Sequence, residues 1–198
     1  RAPPQLRIAL SNASNAEDVL QEVIKEATML VGGETCPEEQ DETMSHTQVL
    51  STRSPQNNMT PQTTLLVLDE ELYPDMVSFR TLVELSWKLQ AEAIDDHGFT
   101  PLLQLVLFHP LAKHDTYSEN LLRKNGNSSS SSSSSGGDAA DYTIRSPYPT
   151  IHLLRETDVM KAVTSGYKDL ELLPSKNKAK LRDQGSDVCQ QRLENCKI

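Results

Sequence analysis

The sequence has few aromatic residues, few cysteines and no excess of basic residues. Phe, Trp and Tyr make up 5% of the 198 residues, and the apolar fraction of 36% is sufficient for a single core. The formal charge is −9, whereas proteins dedicated to nucleic acids concentrate lysine and arginine against phosphate. We therefore expect one main domain and no nucleic-acid partner.

Long hydrophobic runs and paired cysteines are also missing. No apolar run approaches the roughly 20 residues that a transmembrane helix needs, so no membrane span is predicted. Three cysteines, Cys36, Cys189 and Cys196, show no CxxC spacing, and an odd count argues against a complete disulfide framework. This favours a reducing, intracellular compartment. Because the chain begins at Arg1, we expect sequence to precede it; a targeting segment would lie there, which leaves an organelle open.

The familiar catalytic signatures are absent as well. There is no glycine-rich phosphate loop, no GxSxG elbow, no HExxH and no complete zinc spacing, so the sequence predicts no metal and names no cofactor. Whether the protein is an enzyme stays open. The acidic residues Asp69, Glu70 and Glu71 are compatible with a divalent cation. They are explained more economically as the negative first turn of the next helix.

The first recognisable elements are a strand and an amphipathic helix. Residues Leu6 to Leu10 form a short apolar run, and apolar residues then recur at helical intervals up to Leu30. Ser14 and Glu17 have the spacing of a capping box, and Gly32 stands where a helix ends. The pattern predicts a strand followed by a helix capped by Ser14.

Six further segments follow the same logic. Continuous apolar runs predict a buried central strand at Thr63–Asp69 and a second strand within Phe99–Pro110, which Pro110 ends. Between them a helix is predicted from Pro74 to Gly98, with Trp87 packed at the border of its apolar face. The later segments are a short or edge strand at Thr150–Arg155, a helix over Asp158–Ser165 capped by Thr157 and ending at Gly166, and polar helix beyond Pro174, in one piece or broken at Gly185.

This order of elements predicts the α/β class, with α+β as the alternative. We expect a layered sandwich in which helices pack on a central sheet of three or four strands. Residues 1–166 are predicted to form one domain with flexible loops at about 33–62 and 112–141, and residues 167–198 a peripheral helical extension. Eight consecutive serines, Ser128 to Ser135, predict a disordered insertion in the second loop.

The candidate site is the stretch "DYTIRSPYPTIHLLRE", residues 141–156. Arginine presents a planar fork that suits phosphate or carboxylate, and tyrosine adds a hydroxyl donor and a ring wall. His109 and His152 flank the same loop, so they are predicted to converge at a sheet edge and to transfer protons. The predicted ligand-binding residues are Tyr142, Arg145, Ser146, Tyr148 and Arg155.

Two alternatives compete with that site. Ser146 near His109 or His152 would form a nucleophile pair, but such a pair without known geometry is compatible with almost any protein. The structural alternative is that the arginines pair with Asp141, Glu156 or Asp158 and that His152 packs in the core. By composition alone this alternative is the more economical, since surface ion pairs are common.

Several blocks carry a resemblance to a known family. Thr-Thr-Leu-Leu-Val at 63–67, Phe-His-Pro at 108–110, and the run from Tyr142 through Arg-Ser-Pro-Tyr-Pro to His152-Leu-Leu-Arg155 resemble the family called domain of unknown function 1415. Members carry a Leu-Cys-Pro-Phe-Ala block that would fall before Arg1, and the serine insertion is longer than the resemblance implies. The resemblance implies a shared polar motif, which a ligand explains more easily than packing does. It implies no particular activity.

Two functional hypotheses follow. The first is an anion-binding protein, or an enzyme, for a small phosphate or carboxylate compound at the sheet edge. The second is a noncatalytic structural or accessory subunit of a larger assembly, organellar or not, which contacts protein partners through residues 33–62 and the C-terminal segment.

Overall fold

The computed structural model describes residues 6–32, 61–114, 137–164 and 172–197. These residues form a four-stranded mixed sheet and five α-helices, which confirms the predicted α/β class with helices packed on a sheet. The predicted loop at 33–62 lies almost wholly outside the described residues, as do Cys36, the serine run and most of the predicted loop at 112–141.

The sheet combines parallel and antiparallel pairing. Its strands are β1 (Leu6–Leu10), β2 (Thr63–Val67), β3 (Leu103–Phe108) and β4 (Thr150–Arg155), in the order β1-β2-β4-β3. β1 and β2 are parallel, and β4 is antiparallel to β2 and β3. β4 is therefore a central strand and not an edge. β1, β2 and β3 all end where β4 begins, and we call this side of the sheet the front edge.

One face of the sheet, the covered face, carries the core. Helices α1 (Ala16–Val31) and α2 (Phe79–Lys88) contact the strands on this side. Leu66, Ile151 and Leu153 are no more than 2% exposed and pack with the apolar sides of both helices. Burying one such side chain contributes about 1.5–3 kcal/mol, so this layer is the main source of stability.

Helix α1 begins one residue later than a Ser14 cap requires. The cap is Asn15, whose side-chain oxygen accepts hydrogen bonds from the backbone N–H groups of Glu17 and Asp18, both at 3.0 Å. Ser14 instead donates its hydroxyl proton to the Asp18 carboxylate. The predicted helix is confirmed, but the predicted cap residue was wrong because Asn15 satisfies the first free N–H groups directly.

The long helix predicted from Pro74 to Gly98 is divided into three. A 3₁₀ turn at Pro74–Val77 precedes α2, and a π-helix at Leu89–Asp95 follows it. A hydrogen bond of 3.0 Å from the Asp96 N–H to the carbonyl of Ala91, five residues earlier, closes the π-helix. Trp87 is 68% exposed, so its predicted packing was wrong.

The opposite face of the sheet, the open face, is much less buried. In β2, Thr64 and Leu66 are buried on the covered face, whereas their neighbours on the open face are half-buried. In β1, Leu6, Ile8 and Leu10 are 53%, 61% and 76% exposed. Side chains alternate between faces along a strand. The apolar run in β2 therefore correctly predicts a central strand, but the strand is fully buried on its covered face only.

The C-terminal region forms three helices. They are α3 (Glu156–Thr164), α4 (Leu173–Gln184) and α5 (Ser186–Glu194). Thr157 lies inside α3, so the predicted cap at that residue was wrong. The predicted break at Gly185 is present, and this glycine has a φ of +85° that favours a residue without a side chain. None of the described helices is long and apolar enough to cross a membrane.

The two last helices lie against the rest of the chain. α4 and α5 contact a 3₁₀ turn at Ala139–Thr143, which overlaps the start of the predicted site. Cys189 is buried in α5 and Cys196 is exposed after it, and both are free thiols. The division into residues 1–166 and a peripheral 167–198 stays a prediction.

Candidate functional site

Arg145 is the best-positioned polar residue of the front edge. It lies between the 3₁₀ turn at Ala139–Thr143 and β4, and only 12% of its side chain is exposed. Its Nε donates to the Ala112 carbonyl at 3.0 Å, and its guanidinium carbon lies 4.4 Å from the centre of the Tyr142 ring. The backbone and the aromatic ring thus hold the guanidinium in one place.

Asp141 is the acidic neighbour of this arginine. Its Oδ2 lies 3.7 Å from an Arg145 terminal nitrogen, which is an ion pair but too long for a hydrogen bond. Its other oxygen accepts the His114 backbone N–H at 3.0 Å. Asp141 therefore balances the charge of Arg145 without occupying its N–H groups.

The guanidinium keeps donors available. Arginine has five N–H donors, and within the described ranges only Nε of Arg145 makes a hydrogen bond. Its two terminal nitrogens make no hydrogen bond to a described residue, and they are not fully buried. An oriented guanidinium with accessible donors is the chemistry that binds phosphate or carboxylate.

The two C-terminal helices hold the turn that precedes Arg145. Arg182 of α4 binds the Asp138 carboxylate with both Nε and a terminal nitrogen, the shortest contact being 2.6 Å. This partner lowers the pKa of Asp138 from its ordinary 3.8 to about 2. Tyr142 donates its hydroxyl to Gln190 of α5 at 2.6 Å. This arrangement was not predicted, and its signal in the sequence is the basic character of residues 175–182.

His114 also supports the 3₁₀ turn at Ala139–Thr143. The Thr143 hydroxyl donates to the Ala140 carbonyl at 2.8 Å, so the contact at 2.8 Å between Thr143 and His114 has Nε2 of the histidine as donor. His114 was not predicted as a site residue. Its hydrogen bond connects the segment that follows β3 to this turn.

Ser146 and Tyr148 form the entry to β4. Ser146 donates its hydroxyl to the Tyr148 carbonyl, and Thr150 donates to the same carbonyl at 2.9 Å. The single hydroxyl proton of Ser146 is therefore used in the turn. Ser146 makes no hydrogen bond to His109 or His152, and all three residues are described.

His109 is completely buried and serves as a hydrogen-bonded core residue. Its Nδ1 accepts the Leu111 N–H at 3.0 Å, and its Nε2 contacts the Met76 carbonyl at 2.8 Å and therefore donates. Its ring centre is 5.5 Å from that of Phe79, on the covered face. Burial lowers its pKa, so the neutral ring is favoured.

His152 projects from the other face of the sheet. In the register it lies opposite Leu65 and Val106, and it alternates with the buried Ile151 and Leu153. Its Nε2 is 2.5 Å from the Thr63 hydroxyl oxygen. The structure thus places the two histidines on opposite faces and does not bring them together, and their roles in proton transfer stay predictions.

Arg155 lies at the far end of β4. It lies five positions after Thr150, which is a span of about 17 Å in an extended strand. Arg155 and Arg145 therefore do not reach the same small anion. Nε of Arg155 is 2.8 Å from the Asp158 carboxylate, in an ion pair without hydrogen-bond alignment. Both ion pairs of the structural alternative, Arg145 with Asp141 and Arg155 with Asp158, are present.

No metal centre is formed within the described ranges, where no group of three or more His, Cys, Asp or Glu side chains is placed to hold an ion. Asp69 accepts the Glu71 N–H at 2.8 Å, and the three acidic residues form a turn after β2. They precede the 3₁₀ turn at Pro74 and do not start a helix.

Comparison with known proteins identifies a family. No curated protein and no solved structure matches the chain. The model of the family described as "Protein of unknown function (DUF1415)" matches residues 37–191, which is more than half of the chain and contains every predicted site residue. The chain therefore belongs to the DUF1415 family.

Proposed function

We propose that the protein binds a small phosphate- or carboxylate-bearing molecule at the front edge of its sheet, through Arg145. The observation that carries this proposal is the state of the guanidinium: its side chain is mostly buried, yet only Nε is used in a hydrogen bond to a described residue. Arg155 is not part of this site, because it lies at the other end of β4.

The geometry favours an anion for two physical reasons. The Ala112 carbonyl and the Tyr142 ring fix the guanidinium before any ligand arrives, so little side-chain entropy is lost on binding. Hydrogen bonds between a guanidinium and an oxyanion are charge-assisted and frequently bidentate, which gives both affinity and orientation. Asp141 opposes this attraction, and at 3.7 Å it is displaced more easily than a hydrogen-bonded partner.

The test is a thermal-shift and calorimetric titration with inorganic phosphate, citrate and ATP. The variant Arg145→Lys keeps the charge but loses the planar fork, and Arg155→Lys is the matched control at the opposite end of β4. At 100 times the dissociation constant a ligand adds about 2.7 kcal/mol of stability. We expect this stabilisation in the wild type and in Arg155→Lys, and its loss in Arg145→Lys.

Two results would contradict the proposal. One is that no anion stabilises the folded wild type. The other is that Arg145→Lys and Arg155→Lys reduce the stabilisation equally, which would indicate a general charge effect.

The second candidate function is a noncatalytic subunit of an assembly that contains further copies of this chain. One observation favours it. The edge strand β1 carries three exposed apolar side chains and has no strand beyond it in the described sheet. Edge strands of this kind are templates for pairing with another chain.

A further inference from the structure

The hydrogen bonds around His152 determine which ring nitrogen carries the proton. Thr63 has one hydroxyl proton, and it donates this proton to the Leu153 carbonyl at 2.9 Å. Both hydrogen bonds form together only if the Thr63 oxygen accepts from Nε2 of His152 at 2.5 Å, and on that ground we assign the ring proton to Nε2. In the neutral ring the lone pair then lies on Nδ1.

This lone pair has no partner within the described residues. Nδ1 of His152 makes no hydrogen bond to them, and it is not among their fully buried unpartnered atoms. Burial of the ring lowers the pKa of His152, which keeps the ring neutral and the lone pair available near pH 7. A half-buried acceptor of this kind is stabilised when a donor from elsewhere reaches it.

The residues directly opposite His152 on the two neighbouring strands are apolar. Leu65 and Val106 lie directly opposite it on the two neighbouring strands, and both are only half-buried. The ring of Phe108 is 5.9 Å from the imidazole between centres. Around His152 the open face therefore combines an apolar floor, an aromatic wall and the Nδ1 acceptor.

We propose that the open face around His152 is a second binding site, which takes a small, flat, apolar molecule that carries one N–H or O–H donor. The partial positive charge of that donor complements the lone pair on Nδ1, and the apolar body covers Leu65, Val106 and Phe108. The site is separate from Arg145, because His152 lies within β4 whereas Arg145 precedes that strand at the front edge.

A second copy of the chain fits this place less well. If two copies met across their open faces about His152, each would present an acceptor to an acceptor, and neither lone pair would be satisfied. An anion fits less well for the same reason, since it brings lone pairs and no donor.

Indole and 1-methylindole are the probes for this site. They share the same flat bicyclic ring, but only indole has an N–H donor, and 1-methylindole carries a methyl group in its place. The experiment titrates each into the full 198-residue chain and follows the ¹⁵N signals of the histidine rings by NMR. We expect indole to bind about tenfold more tightly than 1-methylindole, the ratio that one satisfied hydrogen bond supports, with a shift of the Nδ1 signal of His152.

Two variants and one control sharpen the result. In His152→Phe the acceptor is replaced by an apolar ring, so the preference for indole should be lost. Thr63→Val removes the hydroxyl that sets the tautomer, so it should reduce the preference for indole. Thr64→Val changes the neighbouring threonine on the covered face and should leave the preference unchanged.

Equal binding of the two probes to the wild type, or binding of neither, would overturn the proposal. If His152→Phe does not fold, the proposal is still tested by the ratio of the two probe affinities in the wild type and by the shift of the Nδ1 signal of His152. Phosphate provides the separation from the Arg145 site: its binding should be the same in Thr63→Val and in the wild type.

Discussion

A buried histidine such as His109 has to remain neutral to keep its two hydrogen bonds. Its Nδ1 accepts from Leu111 and its Nε2 donates to Met76, so protonation would break the first bond and place a charge in the core. The sequence indicated a histidine at the end of a strand. Its burial comes from α2 and from the 3₁₀ turn at Pro74–Val77, which cover it from a distant part of the chain.

We expect the pH dependence of stability to contain a term from His109. Its pKa is lowered in the folded chain, so the unfolded chain binds the proton first. The stabilisation from the neutral ring is therefore present above about pH 6.5 and is lost as the pH falls below that value, at up to about 1.4 kcal/mol per pH unit. Urea unfolding of wild type and His109→Gln at pH 8, 7, 6 and 5 measures it.

In that series the free-energy difference between wild type and His109→Gln should shrink as the pH falls. A constant difference across the four pH values would show that His109 does not titrate differently in the two states. His152 is present in both proteins, so its own lowered pKa cancels to first order.

At the scale of single elements, the start of α1 offers a direct comparison between two polar residues. The Asn15 side chain accepts two backbone N–H groups, whereas the Ser14 hydroxyl makes hydrogen bonds only to the side chains of Asp18 and Asn15. Loss of a helix N-cap side chain costs about 1 kcal/mol. An exposed hydrogen bond between two side chains contributes less than that.

We therefore expect Asn15→Ala to lower the free energy of unfolding by about 1 kcal/mol, and Ser14→Ala to lower it by less than about 0.5 kcal/mol. Chemical denaturation of both variants at neutral pH is the measurement. A larger loss for Ser14→Ala would restore the capping box that the sequence pattern indicated.

At the scale of the molecule, the main feature of the described residues is a sheet whose covered face is buried and whose open face is much less buried. α1 and α2 occupy the first, and the exposed side chains of β1 lie on the second. Within β1 the only charged residue is Arg7, which turns to the covered face and pairs with the buried Glu26 at 2.7 Å. The edge strand thus lacks the outward charge that discourages pairing between chains.

If assembly uses this edge, the molecular mass in solution should rise with protein concentration. Ile8→Lys places a charge in the middle of the exposed row and should give a monomer at every concentration. Val77→Lys is the matched control, because Val77 is 53% exposed but lies in the 3₁₀ turn before α2. Light scattering after size-exclusion chromatography measures the masses. A monomeric wild type, or equal behaviour of both variants, would count against self-assembly through β1.

Local patterns were sufficient to locate most elements of this chain. The helical spacing between Val19 and Leu30 predicted α1, and the apolar runs predicted β2, β3 and β4, because each pattern reflects which side of one element meets the core. The blocks around Phe108 and Arg145 also indicated the family, which the match over residues 37–191 confirms. Glycine at residue 185 marked the break between the last two helices, since its positive φ is a local property.

Strand order and pairing register were decided only in the tertiary structure. β4 is central because β2 and β3, from distant parts of the chain, pair with its two sides. That register places His152 opposite Leu65 and Val106 on the open face, whereas His109 is enclosed on the other side, so two histidines that flank one loop point apart. Arg145 and Arg155 belong to one motif, yet the length of β4 separates them and gives each its own acidic partner. The physical reason is that periodicity records burial along one element, while the meeting of side chains depends on pairing between elements.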